Sequence, residues 1–170
     1  MNYCKIDPYD VANGEGVRVS LWVSGCTHHC KGCFNQETWD FNAGREFTSD
    51  TMCEILDIVN KPYVSGLSIL GGDPLCQDME GLMILHYLIA NVHRIGKTVW
   101  LWTGDTWEDI QQTAPKYGLA KYCDIVVDGQ FDETKRDISL AWCGSKNQRV
   151  IDVKQTIEQG KVILYKENNV

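Results

Sequence analysis

The chain has no surplus of basic residues: 16 Lys and Arg against 23 Asp and Glu leave a net charge of −7. Phosphate-rich partners need a basic surface, so nucleic acid is not expected as a partner. No run is apolar over the ~20 residues that span a bilayer. The longest, residues 82–92, is interrupted by His86 and Asn91. The opening residues Met1-Asn2-Tyr3-Cys4-Lys5 are not a basic segment leading into an apolar one. Neither a secretory leader nor a membrane is therefore expected, and the chain is placed in the cytoplasm. Low-complexity tracts are missing, and so is a second cysteine pair at zinc-ribbon spacing.

Thiols stay reduced in the cytoplasm, so eight cysteines point there to metal or redox chemistry rather than to a disulfide frame. Cys26, Cys30 and Cys33 are spaced C-x3-C-x2-C, directly after an apolar run at 19–23. Three thiolates on one loop can hold a metal centre but cannot fill it. Structural zinc and cubane iron–sulfur clusters usually take four protein ligands. With three, one metal position stays open for substrate. A zinc knuckle completed by His28 or His29 is the main competitor, but both histidines lie inside the loop. Three thiols packed as small hydrophobes suit Cys53 and Cys123 better than a polar loop bearing glycine. An iron–sulfur cluster is the favoured reading and zinc the second. Cysteines 4, 53, 76, 123 and 143 stand alone.

With 170 residues, 44% hydrophobic and 23% charged, the chain can build one domain with a real core. That domain is taken as residues 1–170, with an unassigned tail after about 153. Residues 1–17 read as an irregular lead-in ending in the turn Asn13-Gly14-Glu15-Gly16. Strands are expected at 18–24, 66–70, 98–102 and 124–127, with helices between them at 49–59, 79–95 and 107–113. Pro62 is expected to end the first helix and Pro115 the third. Stretches 139–142, 148–153 and 161–165 are weaker strand candidates, and 166–170 reads as a frayed end.

Strand and helix alternation of this kind gives a parallel sheet with its functional loops at the strand C-terminal ends. The cysteine loop, Gly71-Gly72-Asp73-Pro74, Thr103-Gly104-Asp105 and Asp128-Gly129 all fall at such ends. The chain is too short for an eight-unit barrel, so a partial (β/α) barrel of mainly parallel strands, or an open α/β sheet, is expected. Gly71 and Gly72 could admit a ligand close to the backbone, so a side chain at Gly72 is expected to crowd it. Asp73 could accept from an amine. A plain strand-to-helix turn is the competing reading. Asp128 is a candidate for contacts with substrate or partner.

The cysteine motif at the end of a first strand, followed by Gly71-Gly72-Asp73-Pro74, resembles the radical S-adenosylmethionine superfamily. Further matches run through Asn13-Gly14-Glu15-Gly16, Gly32-Cys33-Phe34-Asn35, Trp39, Trp102-Thr103-Gly104, Val127-Asp128-Gly129-Gln130-Phe131 and Trp142-x-Gly144-Ser145-x-Asn147-Gln148. Over residues 3–150 the series is similar to the anaerobic ribonucleoside-triphosphate reductase-activating proteins. The resemblance implies a truncated barrel of the radical-SAM type. It implies a 4Fe-4S cluster on Cys26, Cys30 and Cys33, and S-adenosylmethionine chelated to the iron that lacks a cysteine. Gly71 and Gly72 would lie by the methionine amino group with Asp73 as its partner, and Gly32, Cys33 and Phe34 beside the adenine. The implied partners are the large glycyl-radical subunit of the reductase and a one-electron donor such as a flavodoxin. No side chain need be a general acid or base, so no catalytic residue is assigned. Alternatives are an activator of the pyruvate formate-lyase type and a zinc-binding interaction module. Two positions depart from the family pattern, which tends to tyrosine where Asp105 stands and arginine where Cys143 stands.

Overall fold

Buried apolar positions on alternating residues define the spine of the sheet. In β2 (Val17–Val23), Val19, Leu21 and Val23 are fully buried on one face. The other face carries Arg18 and Ser20, which are buried as well. The computed structural model describes residues 1–166, so the expected frayed end falls almost wholly outside the described residues. The fold is mixed α/β around a seven-stranded sheet. Its strands are β1 (Asn2–Asp10), β2, β3 (Arg45–Glu46), β4 (Val64–Gly71), β5 (Thr98–Trp102), β6 (Ile125–Asp128) and β7 (Arg149–Asp152), in the order β3-β1-β2-β4-β5-β6-β7. The middle, β2-β4-β5-β6, is parallel. Both edges are antiparallel.

The main core lies between the sheet and α1 (Ser49–Val59), α2 (Met79–Arg94), α3 (Trp107–Gln111) and α4 (Ala114–Ala120). Ile55 and Val59 of α1, and Leu85, Leu88 and Val92 of α2, pack there on Leu67, Ile69 and Leu101. A smaller cluster gathers Trp100, Ile125, Val127 and Val150, with Trp102, Trp142 and Tyr165 against it. Arg18 closes one end of this second cluster. Its guanidinium donates to Ser68 Oγ, Thr98 Oγ1 and the carbonyls of Leu67, Thr98 and Glu15, and it lies 5.5 Å from the Trp100 ring centre. Burial without a carboxylate in direct contact lowers this cation to about 10.

Residues 2–10 are not an irregular lead-in. They form β1, paired antiparallel to β2. Register shifts after Tyr3 and after Asp7 break the period-two pattern that would have announced a strand. Pro115 does not stop α3. It sits in the first turn of α4, where a residue without an N–H costs nothing. Of the weaker strand candidates only β7 forms. Residues 139–142 are loop, and Leu164 makes a lone bridge to Ile151. Beyond β7 comes a helix the pattern did not announce, α5 (Val153–Gln159), closed by Gly160 in the left-handed region.

Candidate metal centre

The cysteine loop leaves β2 under tight backbone control. Ser24 N donates to Asn2 O on β1, and Ser24 Oγ to Ala43 O at 2.8 Å. Gly25 N donates to Thr38 O at 2.7 Å and Cys26 N to Trp39 O at 3.1 Å. The connection 34–45 thus clamps the start of the loop. Gly25 has φ +101°, and a side chain there would run into the Phe41 ring. From the other side the turn after β4 docks on the same loop: Gly72 N donates to Val23 O and Asp73 N to Gly25 O, both at 2.8 Å.

These contacts bring the expected loops around one cavity of about 520 Å³. Cys26, Cys30, Cys33 and Phe34 form one wall. Gly71, Gly72 and Asp73 form the next, followed by Trp102, Thr103 and Gly104, then Gly129. All the expected site residues except Gly32 line it, and Gly32 is the chain neighbour of Cys33. Phe34 stands at the mouth, 90% exposed. Asp128 does not face the cavity. It is buried and accepts from Trp107 N and from Arg149, so it braces α3 against β7 instead of meeting a ligand. Cys53 is exposed on α1 and Cys123 is buried.

Asp73 carries the electrostatics of the site. Its Oδ1 accepts from Leu75 N, and its Oδ2 from Thr103 Oγ1 at 2.9 Å and Gly104 N at 2.8 Å. His28 Nε2 lies 2.9 Å from the same Oδ2, off the line of an aligned hydrogen bond, and 3.6 Å from Asp105 Oδ1. The Asp73 carboxylate first, then the Cys76 sulfur, push His28 up to about 10 against the cost of burial. Cys76 shares a hydrogen bond with Cys26, and its Sγ is 3.2 Å from Thr27 Oγ1. The Cys26 contact, helped by His28 and Thr27, holds Cys76 down to about 4 despite burial, while Cys76 and burial together push Cys26 up.

The donor set fits a cluster better than a single ion. One ion shared by three thiolates draws the sulfurs to roughly 3.8 Å of one another, given metal–sulfur bonds near 2.3 Å. Among the described residues the ligand atoms that come within 4.8 Å of one another are those of His28, Asp73 and Cys76, not the cysteine trio. Three sulfurs set wider on one wall suit a body of several irons. Two buried nitrogens lining the cavity, Trp22 Nε1 and His28 Nε2, lack aligned hydrogen-bond partners among the described residues.

Sequence reasoning missed part of this lining. Ala12 and Asn13 reach the cavity because Asp10 holds their turn, accepting from Ala12 N at 2.7 Å and Asn13 Nδ2 at 2.6 Å. Trp142, Cys143 and Gly144 reach it from the other edge. Trp142 adopts φ +64°, uncommon for a bulky side chain, and is fixed by Trp102 Nε1 donating to its carbonyl at 2.9 Å. The matching stretches 13–16 and 142–148 were the available signals. Nothing local marked Cys76.

A family model described as "4Fe-4S single cluster domain" matches residues 12–151. The anaerobic ribonucleoside-triphosphate reductase-activating protein of Enterobacteria phage T4 is 40% identical over 152 residues, covering 88% of this chain and 93% of the relative. The protein of that name from Pasteurella multocida is 39% identical over 152 residues, covering 87% and 95%. That of Escherichia coli K12 is 37% identical over 158 residues, covering 88% and 97%. On the model match and on these relatives, the chain belongs to the single-cluster 4Fe-4S family of anaerobic ribonucleoside-triphosphate reductase-activating proteins.

Proposed function

We propose that the chain is a radical S-adenosylmethionine activase that generates the glycyl radical on the large subunit of anaerobic ribonucleoside-triphosphate reductase. One arrangement carries this reading. Cys26, Cys30 and Cys33 share a cavity with the turn Gly71-Gly72-Asp73, at the ends of adjacent parallel strands, in a chain whose relatives are named for that activation. In this reading the three cysteines hold a 4Fe-4S cluster with one iron left free of thiolate. The Gly71-Gly72 backbone receives the methionine amino group of S-adenosylmethionine, with Asp73 fixing the turn behind it. Gly32, Cys33 and Phe34 run beside the adenine. A reduced cluster held by these cysteines would supply the one-electron chemistry that cleaves S-adenosylmethionine and so makes the partner's glycyl radical, while the residues around it bind and orient that cofactor.

The protein's share is to bind, orient and exclude water, so no residue is assigned as acid or base. The exposed Phe34 and the loop through Trp142 frame the side from which the partner's glycine enters. The electron comes from a one-electron donor such as a flavodoxin. The chain acts as one domain, residues 1–170, in the cytoplasm, and its sheet is a truncated partial barrel of the radical-SAM type. Among the described residues no helix is long and apolar enough to cross a membrane.

The test is anaerobic. Purified protein is reconstituted with iron and sulfide, reduced, and mixed with S-adenosylmethionine and either the reductase subunit or a glycyl-radical enzyme of the pyruvate formate-lyase type. A glycyl signal in electron paramagnetic resonance is expected with the reductase alone. A signal only with the other partner reassigns the activase, and a protein that takes up no iron overturns the reading.

A further inference from the structure

We propose that His28, Asp73 and Cys76 form a second metal site, with a ligand set distinct from the cysteine trio it adjoins at Cys26, that takes a zinc-class divalent cation. An imidazole nitrogen, a carboxylate oxygen and a sulfur from these residues lie within 4.8 Å of one another. They come from two segments that the backbone already locks together, the cysteine loop and the turn after β4. The closest pair, His28 Nε2 and Asp73 Oδ2, is 2.9 Å apart. Edges of a tetrahedral zinc centre are roughly 3.3–3.8 Å for bonds of 2.0–2.3 Å, so small side-chain rotations bring the set onto one ion.

The donor chemistry selects the ion. Magnesium and calcium take oxygen ligands, whereas a nitrogen, a sulfur and one carboxylate oxygen suit zinc and its cobalt surrogate. Three protein ligands leave the fourth position to water. A second observation points the same way. His28 Nε2 is buried and has no aligned hydrogen-bond partner among the described residues, although it faces a carboxylate.

Each donor also has the outer contact that metal ligands require. Thr103 Oγ1 and Gly104 N fix the Asp73 carboxylate. Gln130 Nε2 lies 3.2 Å from His28 Nδ1, and rotating this amide by 180° would present its carbonyl to accept the Nδ1 proton when Nε2 binds metal. The Thr27 hydroxyl sits 3.2 Å from Cys76 Sγ. Binding displaces to solvent the proton that His28 Nε2 holds against the Asp73 carboxylate and the Cys76 sulfur, and forms metal–sulfur, metal–nitrogen and metal–oxygen bonds, with no change in oxidation state. Once occupied, the site ties the cysteine loop to the turn after β4. The proposal does not depend on S-adenosylmethionine cleavage.

Cobalt(II) alone, titrated anaerobically into full-length, metal-stripped protein, tests it. Wild type and a Cys30→Ser/Cys33→Ser double variant are both expected to bind one equivalent, with a thiolate charge-transfer band and the visible bands of a tetrahedral centre. Cys76→Ser is expected to lose the charge-transfer band and more than about 100-fold in affinity. His28→Gln is expected to lose affinity while keeping the native circular dichroism. Binding that survives Cys76→Ser but disappears in the double variant puts the cation on the cluster cysteines and overturns the proposal. So does a wild-type protein that binds none, or a loss in both variants.

Discussion

Gly72 was expected to be a glycine so that a ligand could approach. The atoms that a side chain there would meet belong to the protein: the carbonyls of Gly25 and Thr38. Gly71, at φ +108°, is likewise confined by the β2 backbone. The pair therefore lets the turn after β4 dock on the cysteine loop, besides lining the cavity. Gly72→Val is expected to destabilise even the metal-free protein by about 3 kcal/mol or more in urea unfolding. Crowding of a ligand alone would leave the metal-free stability unchanged and reverse this assignment. Cys26→Ala, Cys30→Ala and Cys33→Ala are each expected to abolish the visible absorption and bound iron of the reconstituted protein. Cys53→Ala, exposed on α1, should leave both at wild-type levels. The cysteine trio was legible because its spacing is local. The contacts among His28, Asp73 and Cys76 join segments far apart in the chain, and no one-dimensional pattern carries them.

Elements were legible where one period ran unbroken. The apolar faces of α1 and α2 repeat cleanly, and the four parallel strands are short, largely apolar and largely buried runs. The elements that escaped have interrupted or minimal signals: β1 by its register shifts, β3 by being two residues long, α4 because its proline reads as a stop. Caps mark the ends well. Thr48 Oγ1 accepts from Thr51 N while Thr51 Oγ1 accepts from Thr48 N, closing both orphan donors at the start of α1. Thr48→Ala is expected to cost about 1 kcal/mol by denaturant unfolding, with an unchanged m-value, since it frays one turn without altering the buried surface. α1 packs beneath β2 and β4, the strands that carry the cysteine loop and the turn after it, so the same variant reports how far the site depends on that helix.

Taken as a whole, the molecule is anchored by two hydrogen-bonded carboxylates outside the cysteine loop, the buried Asp10 and the half-buried Asp124. Burial pushes Asp10 up, but hydrogen bonds from Asn13, Ser20 and the Ala12 and Asn13 amides outweigh it and leave Asp10 below its ordinary range. For Asp124 burial is again opposed, by His93 and Val99 N, with the Arg18 charge nearby, and the result is also a lowered value. A carboxylate whose folded value lies below its unfolded value stabilises the fold above the unfolded value, about 4. That contribution disappears as pH falls through the folded value. Unfolding free energy is therefore expected to change little through these groups from pH 7 to 5 and to drop below about pH 4. Asp10 also holds the turn that brings Ala12 and Asn13 to the cavity, so acid loosens that rim as it destabilises the fold. Asp10→Asn is expected to cost about 1–2 kcal/mol at pH 7, by weakening hydrogen bonds that are now charge-assisted, and to flatten the acid limb. Urea unfolding at stepped pH on the two proteins decides it, because an acid limb of undiminished slope in the variant would place the proton uptake elsewhere.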